Sequence, residues 1–223
     1  MRPISTDVTV LRHNAIDLAL HSLRPGAPGA TPLLLLHGLG ERSPAAAPAW
    51  TAAWPGGVCA LDFTGHGASS VPRGGGYSAE VLMGDVDTAL AHLGPSAVVG
   101  RGLGAYVALL IAGGRPKLVR GAVLADGPGM AGGGTGPMFG SVIVLPPGPH
   151  PAPDPWALAE LSRDVRPPDY ATSYARLALQ VSDLRCPIVV TARVRPPWLE
   201  AVADEPGVAE AASVAEALAL LAT

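Results

Sequence analysis

The chain has 223 residues, 48% of them hydrophobic, with mean hydropathy +0.33, net charge −3 and a pI near 6.0; the length fits one α/β domain with a sizeable core. The acidic balance, a single lysine (Lys117) and the lack of any basic run give nucleic-acid binding no electrostatic support. The longest apolar stretches, 32–36 and 105–112, fall far short of the roughly 20 residues a membrane span needs, so no membrane span is expected.

In chain order, "MRPISTDVTVLRH" has no apolar core of a signal peptide, and Cys59 and Cys186 read as buried structural thiols. Together they predict a cytoplasmic protein. The segments 7–13 and 16–23 alternate at period two around Asn14–Ala15, which predicts a β-hairpin. A breaker-rich loop (24–32) leads into "LLLL" (33–36), a strand buried on both faces as in a parallel sheet. A helix is expected within 45–54 and a strand over 57–63. Ser78 caps a helix reaching His92, with Leu82, Val86, Leu90 and Leu93 on one face. The strand "AVVG" (97–100) runs into an all-round apolar helix over 103–112, and another strand covers 119–126.

Composition changes at Gly127, where a Gly/Pro-rich stretch predicts irregular loop. Helices follow over 156–164 and 170–183, the second with Tyr170, Tyr174, Leu177 and Val181 on one face. A strand at 187–192, a proline-led helix at 196–204, a short strand at 208–211 and a helix at 214–222 close the chain. Ser213 and Glu216 form a capping box for the last helix. Alternating strands and helices with short connections argue for a doubly wound, mainly parallel α/β sheet with crossover helices in one domain over 1–223.

Several stretches, in order, resemble the α/β-hydrolase fold family. "LLLLHGLGE" (33–41) is similar to its strand and His-Gly loop, and "LDFTGHGASS" (61–70) to its Asp-x-x-Gly-His-Gly-x-Ser turn. "VVGRGLGAYVALLIA" (98–112) resembles the nucleophile elbow and its helix; "LVRGAVLAD" (118–126) and "CPIVVTARV" (186–194) resemble the next two strands. The resemblance implies the α/β-hydrolase fold, with 127–185 as a reduced cap.

It also implies a triad, and three positions depart from it. Gly102 stands where the serine of G-x-S-x-G is expected. The acid position, aligned without gaps, falls on Arg195. No histidine follows His150, so the base position is empty. Without a triad, oxyanion-hole stabilisation alone supplies roughly 10³-fold over water. The expectation is a non-catalytic protein that binds a small carbonyl or anionic ligand, a protein partner or a second copy of itself. No catalytic residue, metal or cofactor is assigned.

The expected ligand-binding residues gather round the elbow. Leu39 and Leu103 offer backbone N–H donors, with His37 and Gly38 shaping their loop; Gly102 and the helix start after it add positive dipole. Arg101, Asp126 and Arg195 supply charge, and an Arg195–Asp126 pair across the old site is expected to replace the acid–base contact. The alternative is hydrolase-family chemistry (esterase-like, lyase or cofactor-free) at a non-standard site around His37 and Asp126.

Overall fold

The computed structural model describes residues 7–131, 151–163 and 166–222. Eight strands form one sheet in the order β1-β2-β4-β3-β5-β6-β7-β8. They are β1 (Asp7–His13), β2 (Ile16–Arg24), β3 (Leu33–Leu36), β4 (Val58–Leu61), β5 (Ser96–Arg101), β6 (Val119–Ala125), β7 (Ile188–Val190) and β8 (Ala209–Glu210). The first hairpin is antiparallel and β2 joins β4 antiparallel; every pairing from β4 to β8 is parallel. Asn14 turns the hairpin at φ 55, a conformation asparagine tolerates. Strands β4 and β5 lie on opposite sides of β3, so the loops leaving β3 and β5 diverge and open a crevice at the carboxyl edge.

The helices are α1 (Ala79–Leu93), α2 (Leu103–Gly114), α3 (Pro155–Ser162), α4 (Pro168–Val181), α5 (Pro197–Ala203) and α6 (Val214–Leu221). Ser78 caps α1 through the Val81 N–H, and Ser213 caps α6 through the Glu216 N–H, while the Glu216 carboxylate reaches back to the N–H of Ala212. The two sheet faces are unequally covered. One carries the main core, to which α1 through α5 all contribute. The other buries Leu33, Leu35, Val58, Ala60 and Val99 under α6 and the 39–54 loop.

Three expectations change. The helix expected within 45–54 is a single 3₁₀ turn, Ala49–Thr51. Pro44, Pro48 and Pro55 remove donors and push their predecessors out of helical geometry, so no full turn survives between them. On α4, Tyr170, Leu177 and Val181 face solvent and Tyr174 is half-buried; Ala171, Ala175 and Ala178 are buried instead. The reason is close packing on α2: a Cβ on Gly113 would lie 2.8 Å from the Tyr174 Cα, so only small side chains fit between the helices. The two cysteines are free thiols, half-buried rather than buried, and burial pushes the Cys59 thiol upward in pKa. Much of the expected cap over 127–185, namely 132–150 and 164–165, lies outside the described residues. Among the described residues, no helix is long and apolar enough to cross a membrane.

Candidate functional site

The turn from β5 into α2 sets the site. Gly102 is at its apex with φ 58 and ψ −121, a backbone conformation that favours glycine, and its N–H donates to the Ala125 carbonyl. The helix behind it is buried from Leu103 to Gly113, so the elbow is held on a rigid element. Facing it across the crevice is the loop after β3, where the N–H groups of 38–41 are committed within the protein. Gly38 N–H donates to the Glu41 carboxylate (2.9 Å), Gly40 N–H to His66 Nε2 (3.2 Å) and Glu41 N–H to the Gly38 carbonyl (3.1 Å).

The expected donor pair, the N–H groups of Leu39 and Leu103, converges on one acceptor. Both donate to the carbonyl oxygen of Pro128, at 3.0 and 2.9 Å. The chain just past β6 thus turns back over the elbow. Gly127 and Pro128 fill the space over Gly102, so the crevice there is closed by main chain. Gly38 has the same neighbour: a Cβ there would stand 2.8 Å from Pro128 Cδ and 2.9 Å from Pro128 O. Two residues on, the buried Met130 accepts a hydrogen bond from the Trp198 indole at its carbonyl (2.8 Å), which pins the far end of the turn.

His37 is 5% exposed and wholly engaged. Its Nε2 accepts the Phe63 N–H (3.1 Å), which fixes the proton on Nδ1, and Nδ1–H donates to the Gly38 carbonyl (2.8 Å). Burial, with the neighbouring His66 ring adding to it, lowers its pKa to about 4. The buried His66 follows the same plan: Nε2 accepts from Gly40, Nδ1 bonds the Thr64 carbonyl at 3.1 Å, and burial lowers its pKa. Neither ring has a nitrogen left to take a proton from a substrate, so chemistry around His37 and Asp126 finds no base in His37.

The expected Arg195–Asp126 pair does not form. The Asp126 carboxylate accepts the N–H groups of Arg193 (2.8 Å) and Val194 (2.9 Å), capping the turn after β7. Arg195 makes a two-point ion pair with Glu210 at 2.9 and 2.8 Å. The swap has a simple cause: β8 lies beside β7 and offers a carboxylate on the same sheet edge, while Asp126 is already satisfied by two backbone donors. Arg101 pairs with Glu41 at 2.7 Å.

Two buried carboxylates carry more structure than the sequence suggested. Asp85, fully buried, accepts from His13 Nδ1 (2.7 Å), Thr64 Oγ1 (2.9 Å) and Thr64 N–H (2.8 Å), tying β1, the turn after β4 and α1 together. Burial raises its pKa, against the lowering effect of those donors. Asp62, 2% exposed, accepts from the N–H groups of Ser43 (2.6 Å) and Ala68 (2.8 Å) and bonds His21 Nε2 (2.9 Å). Burial alone would raise its pKa, but these donors outweigh it and leave the carboxyl below its ordinary value. Sequence reasoning missed Asp85 and the tie between His21 and Asp62. One signal existed for the second: once β2 pairs β4 with His21 opposite Ala60, His21 and Asp62 become diagonal neighbours on one sheet face. Among the described residues no group of three or more His, Cys, Asp or Glu side chains is placed to hold a metal ion.

A profile of the Alpha/beta hydrolase family matches residues 33–221, most of the chain. No curated protein gives a significant match. Among solved structures, the thioesterase domain from the curacin biosynthetic pathway is 28% identical, aligning 54% of this chain with 46% of that one at a TM-score of 0.46. Epoxide hydrolase A from Mycobacterium thermoresistibile is 25% identical over 54% of this chain and 39% of that one, at a TM-score of 0.45. The match therefore spans less than half the length of either. A membrane phospholipase A described as a bacterial virulence factor aligns with 92% of this chain and 77% of its own, at 16% identity and a TM-score of 0.52, a likeness of fold. With the eight-stranded, mainly parallel sheet and its crossover helices, the profile match settles the family: the chain belongs to the alpha/beta hydrolases.

Proposed function

We propose that this chain is a non-catalytic alpha/beta hydrolase that works by binding, with its elbow closed by its own main chain. One observation carries the reading: the Pro128 carbonyl accepts the N–H groups of Leu39 and Leu103 above Gly102. In the family those two donors would stabilise an oxyanion, and the space over Gly102 would hold a serine side chain. Here a peptide carbonyl takes the first place and the Gly127–Pro128 backbone takes the second. The missing serine and the inserted backbone account for each other, since a side chain at 102 would collide with that backbone. A small carbonyl or anionic ligand would have to displace Pro128 before it met either donor. Binding therefore falls to surfaces beside the elbow rather than to the elbow itself.

Labelling with a fluorophosphonate probe and turnover of short-chain p-nitrophenyl esters test this directly. The natural protein gives neither, and Gly102→Ser gives neither, because His37 and His66, the imidazoles beside the elbow, have both ring nitrogens engaged and cannot accept the hydroxyl proton. Stoichiometric labelling or saturable turnover by the natural protein would refute the reading.

A further inference from the structure

The uncovered part of the second sheet face holds a cleft of about 1220 Å³. Its origin is the missing helix. Between β3 and β4 the chain builds only the 3₁₀ turn, so no crossover helix packs over the carboxyl halves of β3 and β5. Leu35 and Val99 form the floor of the cleft, and Pro48, Trp50 and Val214 its walls. The volume lies just above the usual range of ligand sites, roughly 300–1,000 Å³.

Glu41, Arg42, Arg101 and Asp126 line the rest of the cleft beside this apolar floor, and one end carries a built polar group. Asp62 is fixed by two backbone N–H donors that hold it ionised, so it must accept from His21, and His21 must place its proton on Nε2. A carboxylate behind an imidazole sets the tautomer of the neutral ring, and in that form Nδ1 is an acceptor. His21 lines the cleft with its side chain 17% exposed, and Nδ1 has no hydrogen-bond partner among the described residues. This sets it apart from His37 and His66, each of which has both nitrogens occupied.

We propose that this cleft binds a small, largely apolar alcohol, aromatic or alicyclic, whose hydroxyl donates to His21 Nδ1 while its ring lies over Leu35 and Val99 beside Trp50. The Asp62–His21 pair orients the ligand, and no bond is made or broken. The cleft reaches the elbow, since His37, Arg101 and Asp126 also line it, but the proposal asks nothing of Gly102 and stands whether or not that position supports turnover. It names an occupant for the binding role, and its test reads a different signal from the fluorophosphonate assay, so either can fail alone.

The test uses 2-naphthol and its methyl ether, 2-methoxynaphthalene, titrated into the natural protein with the histidine ring nitrogens and tryptophan indoles followed by ¹⁵N NMR. The expected result is saturable binding of 2-naphthol that moves the His21 Nδ1 and Trp50 indole resonances. The methyl ether, which cannot donate, binds about tenfold more weakly and leaves His21 Nδ1 in place, the loss of one neutral hydrogen bond. His21→Phe keeps the bulk of the ring and abolishes the preference for the alcohol. If that variant fails to fold, the comparison of the two ligands on the natural protein decides alone. Equal affinity for the two ligands, absence of saturable binding, or shifts confined to residues outside the cleft would each overturn the proposal.

Discussion

The carbonyl oxygen of Pro128 stands where a Cβ on Gly102 would have to go, so the two residues exclude any side chain at the elbow. Replacing Gly102 by alanine or serine therefore meets two obstacles, a positive φ and an occupied space. The expected cost is about 1–3 kcal/mol of folding stability. Urea denaturation measures it, and a variant as stable as the natural protein would mean that the 127–130 turn gives way without penalty.

Closure of the elbow also predicts slow amide exchange at two positions. The N–H groups of Leu39 and Leu103 are both bonded to Pro128 and should be protected, although neither bond lies within a strand pairing or a helix interior. Trp198→Phe removes the indole donor to Met130 and should speed exchange at both, with a loss of about 1–2 kcal/mol in stability. Fast exchange at Leu39 and Leu103 in the natural protein would show the turn to be mostly open.

Acid should weaken the fold in a defined window. His37 has its pKa lowered to about 4 by burial and by His66, whereas the unfolded chain takes up that proton near 6.5. The unfolded form binds the extra proton between those values, so stability is full above pH 6.5 and declines as pH falls to about 4. For His37 the loss is about 3 kcal/mol at most. His66 shifts in the same direction. The Asp62 contribution, from a lowered carboxyl, is retained through this range and disappears only below its ordinary 3.8. Urea midpoints taken from pH 7.5 to pH 4 give the slope, and His37→Asn should flatten it.

Asp85 is the buried charge whose loss should be felt most. Asp85→Ala leaves His13 and both Thr64 donors without their acceptor, at about 3 kcal/mol. Thermal or urea denaturation of Asp85→Ala and His13→Ala compares the two sides of the pair. The aspartate variant should be the less stable, because it strands two buried donors on Thr64 as well as the ring.

The partner exchange at Arg195 is open to a double-mutant cycle. Arg195→Ala and Asp126→Asn should act additively, with Asp126→Asn costing about 1 kcal/mol for its weakened cap on Arg193 and Val194. Arg195→Ala and Glu210→Gln should couple instead, since they remove the same ion pair. Coupling between 126 and 195 would restore the pairing that the sequence predicted.

The sequence by itself determined the family fold, the strands β1 to β8 in order, the capped starts of α1 and α6, and the glycine elbow. These depend on signals carried within a few residues: period-two alternation, apolar runs too short for anything but strands, and Ser or Pro at helix starts. It failed on 45–54, where an alanine-rich run reads as helix until the spacing of its prolines is weighed, and on α4, where helix–helix approach selects alanines over the larger apolar residues. Only the tertiary structure decided which groups meet: Pro128 with Leu39 and Leu103, His21 with Asp62, His13 with Asp85, Arg195 with Glu210. Most of these partners are distant in the chain and have no shared period. Their pairing follows from the order and register of the sheet, which brings unrelated loops to one edge and leaves one face open where a helix was expected.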